Sequence, residues 1–219
     1  MQTDPPNGRL FGVFLLATAI LTTVALTHHP SFGNHQPANI AKALAEGSAL
    51  NGAFHAFIIV MLGVLYLGLV GYSRRRGLES PLVLGGLVAA TVGLAAETGA
   101  GLIDGFLVPA FGTYIARGNP ALVDQGMLVI SAAAIVLQIL AKFGLVAISA
   151  AIVLWSIQLF DRDRTHIALA IVGCVVGALT IVLISTVATT LNPHNVALVY
   201  GTQALWYGFA GVLMIQRRL

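Results

Sequence analysis

Apolar runs of about 20 residues, the length that crosses the hydrocarbon core of a bilayer, recur along this sequence from "LFGVFLLATAILTTVALT" to "VALVYGTQALWYGFAGVLMI". This limits the chain to architectures that satisfy every backbone N–H and C=O internally, because lipid offers them no partner. A β-barrel would need short segments of alternating polarity. The runs are instead continuous and rich in Gly and Ala, so the expectation is an all-α, polytopic membrane protein. Composition agrees, with 58% hydrophobic and 9% charged residues in 219 and a mean hydropathy of +0.91. A single integral membrane domain is expected over 1–219, surrounded by lipid.

Six spans are expected at about 10–27, 51–73, 81–108, 125–158, 166–190 and 196–215. Their orientation follows from Lys and Arg in the short connections. With the N-terminus in the cytoplasm, Arg9, Arg74, Arg75, Arg76, Arg162, Arg164, Arg217 and Arg218 fall inside, Lys42 and Arg117 fall outside, and Lys142 lies within a span. Both termini are therefore expected in the cytoplasm, and the protein in the cytoplasmic (inner) membrane. The net charge of +3 and pI near 9.4 reflect this sidedness and do not point to nucleic acid. The first span resembles a signal peptide, but "VALTHHP" is a poor small-x-small cleavage site, so it reads as an uncleaved anchor.

Two outer connections carry local signals. In "QPANIAKALAEGSALN", Pro37 suits a first helical turn, Lys42 and Glu46 are one turn apart, Ile40 and Leu44 share a face, and Gly47 could end the helix. This predicts a short interfacial helix after the first span. In "VPAFGTYIARGNPALVDQG", Pro109, Gly112, Gly118 and the Asn119-Pro120 pair predict a loop before the fourth span.

Orientation gathers the chemistry on one side. His28, His29 and His35 follow the outer end of the first span, His55 lies about one turn into the second, and His194 sits between the last two; only His166 is cytoplasmic. Glu97 and Asp104, about two helical turns apart, share a face of the third span, with Asp104 near its outer end and Glu97 about 10 Å deeper. Gly93, Gly101 and Gly105 on that stripe allow another helix to approach, so the acids should face protein. Gln138 and Lys142 share a face of the fourth span at similar depth, and Lys142 is the expected ion partner of Glu97. Gln203, Trp206 and Tyr207 on the last span, with Tyr200 nearer the surface, are candidates to line the same pocket.

A histidine bonded to a carboxylate satisfies both groups without a metal, and the same pair is a common support around one. Several imidazoles and a carboxylate suit Zn or Cu(II), while Cys174, the only cysteine, rules out multi-thiolate sites. The expected ligands are His28 or His29, His55 and Asp104. Glu97, Asp104 and Lys142 are the candidate catalytic groups, and Gln138, Gln203, Trp206 and Tyr207 the candidate substrate pocket. A metal with an open position would activate water against an amphiphile entering from the outer leaflet. No HExxH, HxxxH or CxxC occurs, so such a site must assemble from separate spans. The alternatives are a b-type haem with quinol nearby, a proton-coupled transporter working as a homo-oligomer, or an accessory subunit.

Overall fold

The computed structural model describes residues 8–29, 37–118, 123–160, 162–186, 191 and 193–219. Among them every regular element is helical: α1 (Gly8–Thr27), α2 (Pro37–Arg76), α3 (Pro81–Leu102), a π-helical turn (Ile103–Leu107), α4 (Val108–Arg117), α5 (Val123–Ile157), α6 (Arg164–Thr186) and α7 (Pro193–Ile215). Six helical stretches are long and apolar enough to cross a membrane, with α3, the π turn and α4 forming one of them from Pro81 to Arg117. Each of them overlaps one of the six expected spans. Large apolar side chains such as Ile20, Ile135 and Val175 point outward, as those of an integral membrane protein do in lipid.

The two connections differ from their sequence signals. The segment after the first span is not a separate helix; it forms the first turns of α2, a single helix of 40 residues, about 60 Å long at 1.5 Å per residue. Its apolar face has a partner other than the membrane surface. Ala41 and Leu44 pack with Ile115 of α4 and Ile130 of α5, and Phe111 and Val123 close the cluster. The stretch expected to loop after Pro109 is helical α4, which continues from the π turn and packs its apolar face on α2 and α5. The Asn119-Pro120 pair lies outside the described residues.

Two helix pairs dominate the packing, α1 with α7 and α3 with α5. In the second, a Cβ on Gly93 would meet the Gly144 carbonyl oxygen and the Ile148 nitrogen at 3.0 Å or less, so only glycine permits this approach. Lipid gives no hydrophobic drive for helix association, and close van der Waals contact of this kind supplies it instead.

The bundle has two unlike ends. At the arginine end, α2 finishes on Arg74–Arg76 and turns through Gly77 at φ 94°. Arg218 reaches back to donate to the Thr165 hydroxyl at 2.7 Å. The core here is aromatic. Trp155 and Trp206 stack with ring centroids 5.6 Å apart, and Tyr72 packs on the edges of both. Trp155 donates its indole N–H to the Val83 carbonyl at 3.2 Å, and Trp206 donates to the Ser156 hydroxyl at 3.0 Å. The opposite, histidine end carries α4, the start of α2 and the end of α1.

Asp163, which precedes α6 outside the spans, caps that helix. Its Oδ1 accepts the backbone N–H groups of Thr165 (2.9 Å) and His166 (3.1 Å) and lies 2.9 Å from His166 Nδ1. The His166 side chain foremost, with the backbone amides, holds the carboxyl down to about 2 from an ordinary 3.8. A depressed carboxylate stabilises the fold above its unfolded value, and this contribution is lost as pH falls toward the folded one. Thermal melts in detergent should therefore show Asp163→Ala melting lower than the parent at neutral pH, with the gap closing between pH 3.8 and 2.

Candidate functional site

The site begins with a missing hydrogen. At the π turn the Val108 N–H bonds to the Ile103 carbonyl, five residues back. The next bond in that pattern would join the Asp104 carbonyl to the nitrogen of Pro109, which carries no hydrogen. An orphan carbonyl inside an apolar bundle is costly. Asn51 of α2 resolves it by donating its side-chain Nδ2–H to the Asp104 oxygen at 2.7 Å. Gly105, next in the turn, is buried against His55, and a Cβ there would collide with the His55 Cβ. Glycine and asparagine together thus bring α2 against the turn that bears Asp104.

His55 is then fixed from both sides. Its Nδ1 lies 2.9 Å from the Asn51 carbonyl oxygen, which has no proton to give, so Nδ1 carries the hydrogen. Nε2 is left facing Asp104 Oδ2 at 3.2 Å. His29, just beyond α1, places its Nε2 3.8 Å from the same oxygen. Its ring is wedged edge-on against Phe54 and His55, with centroids 4.9 and 5.2 Å away. Candidate ligand atoms of His29, His55 and Asp104 all lie within 4.8 Å of one another. His55 is buried, and the Asp104 side chain is 40% exposed. A neutral Nε2 would point a lone pair at a carboxylate oxygen, a repulsive arrangement that a proton or a metal cation between them turns attractive.

Of the adjacent pair, His29 joins the site and His28 does not. The exposed His28 turns Nδ1 to the Val24 carbonyl and the Thr27 hydroxyl, 3.0 Å from each. His35 and the side chain of His194 lie outside the described residues, and His166 belongs to the arginine end.

A cavity of about 130 Å³ opens beneath the cluster, and His29, His55, Asp104, Glu97, Gln138 and Tyr200 supply its polar wall. Leu26, Phe54, Ile58 and Leu137 make much of the remainder apolar. Both acids of the third span, Glu97 and Asp104, therefore face protein and share one chamber. Glu97 is 7% exposed and accepts the Tyr200 hydroxyl on Oε2 at 2.7 Å, while its Oε1 has no partner among the described residues. Lys142 is not the partner of Glu97. Gly144 faces the Glu97 carboxyl, and Lys142, two residues earlier and about 200° around α5, points elsewhere.

The expected substrate-pocket residues separate. Gln138 lines the cavity, where it works as a clamp: Nε2 donates to the Leu191 carbonyl at 2.9 Å, and the Leu191 N–H donates back to Oε1 at 2.8 Å. Gln203 is buried deeper and donates to the Ser149 hydroxyl at 2.9 Å, Trp206 belongs to the aromatic stack, and Tyr207 lines a different, smaller cavity. Sequence reasoning missed Asn51, although an amide one turn before a histidine in an apolar run was a signal for it. The chain matches no family model, no curated protein and no solved structure.

Replacing Asn51 by Leu leaves the Asp104 carbonyl unsatisfied and should destabilise the protein by about 1–3 kcal/mol in denaturant titrations in micelles. Adding Pro109→Ala restores a backbone N–H within reach of that carbonyl. Partial recovery in the double variant confirms the assignment, and strict additivity of the two changes contradicts it.

Proposed function

We propose that the protein is an integral membrane metalloprotein that holds Zn(II) or Cu(II) with His29, His55 and Asp104 and uses it to hydrolyse an amphiphilic substrate. The observation that carries this reading is the convergence of two imidazole nitrogens on one carboxylate oxygen, at 3.2 and 3.8 Å. Bonds of about 2.0–2.2 Å to a tetrahedral ion would separate its ligand atoms by about 3.3–3.6 Å. The Asn51 carbonyl on His55 Nδ1 is the kind of support that orients a metal-bound histidine. Three protein ligands leave a fourth position for water, whose proton the ion would make easier to remove. Glu97, deeper in the same chamber, is the group to accept that proton, and Asp104 brings a negative charge to the ion. Lys142 has no part in this reading.

The apolar walls suit a substrate with a hydrocarbon portion. The sidedness of Lys and Arg supports a chamber at the extracytoplasmic face of the cytoplasmic membrane, with both termini inside. A haem fits less well than a single ion, because its iron would take the two histidines from opposite sides of the macrocycle, whereas these rings touch edge to face, 5.2 Å apart.

Protein purified without a histidine tag should carry close to one equivalent of metal by elemental analysis. His55→Ala and Asp104→Ala should each lose it and His28→Ala should keep it; equal metal in the parent, His55→Ala and Asp104→Ala would falsify the ligand set.

A further inference from the structure

Behind Tyr200 lies a second, smaller cavity of about 10 Å³, walled by Thr18 and Thr22 of α1, Leu62 and Leu65 of α2, and Tyr200 and Tyr207 of α7. Leu62 and Tyr200 also line the larger cavity, so the two adjoin. Thr18, Thr22 and Tyr207 are only 2%, 5% and 3% exposed. None of their hydroxyls has a partner among the described residues.

Buried hydroxyls are costly when unpaired. Helical threonines ordinarily avoid the penalty by bonding to the carbonyl one turn back, as Thr23 does with Ala19 at 2.7 Å. Thr18 and Thr22, one turn apart on the same face, leave that option unused and border the chamber together with Tyr207. The volume is about that of one water molecule, which needs two to four polar partners. Tyr207 also lies within electrostatic reach of both Glu97 and Tyr200.

We propose that this chamber binds a single water molecule, which joins Thr18, Thr22 and Tyr207 and extends the hydrogen-bonded chain of Glu97 through Tyr200 into the core. Tyr200 already donates its proton to Glu97 Oε2, so its oxygen is free to accept one from the water. The water bond moves no proton; it gives the three buried hydroxyls a partner and holds the Tyr200 hydroxyl toward Glu97. The role of Glu97 rests on the metalloprotein reading, whereas the water site does not.

The test is infrared spectroscopy of metal-free protein in lipid, exchanged between ordinary and oxygen-18 water. The parent should show an isotope-sensitive O–H band of ordered water that the Thr22→Val/Tyr207→Phe variant lacks. The Glu97 carboxyl band, identified by its loss in Glu97→Gln, should shift in the same variant. A water band absent from the parent or retained in the variant would overturn the site, and an unmoved Glu97 band would overturn the chain. Thr22→Val alone, nearly isosteric, should lower the melting temperature because it removes a satisfied hydroxyl; a rise would mean that the hydroxyl had been dry and unpaired. Because metal is stripped beforehand, failure here leaves the metal-content result untouched.

Discussion

The histidine end of this bundle depends on one backbone oxygen that its own helix cannot satisfy. In lipid every carbonyl must be paired, and at Asp104 the proline five residues on removes the hydrogen that the π turn would have used. Asn51 supplies it from α2. That single bond ties two spans together, and because the Asn51 carbonyl also takes the His55 ring N–H, it settles at once where a carboxylate and an imidazole meet. Gly105 makes the approach possible by having no side chain to obstruct it.

The two ends of the molecule resolve their polar groups differently. At the arginine end, the two indoles of the aromatic stack donate to the Val83 carbonyl and the Ser156 hydroxyl. At the histidine end the helices enclose a chamber whose polar wall is made by His29, His55, Asp104, Glu97, Gln138 and Tyr200. A bundle gains little by burying acids and imidazoles that its own packing leaves partly unpaired, and such groups are what a site for an ion and its water requires.

The main architecture was legible because it follows from composition. Six long apolar runs must be six spans, and the spacing of Glu97 and Asp104 on a glycine stripe required both to face protein. The expected ligands His55 and Asp104, both near the outer ends of their spans, do meet, 3.2 Å apart, but depth is a poor guide elsewhere. It failed for Glu97 and Lys142, since matching depth says nothing about angle, and two residues on a helix turn a side chain to the opposite face. Tyr200 took that place instead. Pro109 and Gly112 read as a loop because local turn propensity was weighed without the partners of α2 and α5 that hold α4 helical. The π turn was invisible for the same reason: it is stabilised by an amide from a residue 53 positions away.

X-ray absorption of the purified protein at the zinc and copper edges tests the central claim most directly. The account predicts a first shell of nitrogen and oxygen atoms at about 2.0–2.2 Å with the scattering signature of two imidazoles and one carboxylate. A shell with one imidazole or none, or with sulfur, would contradict it.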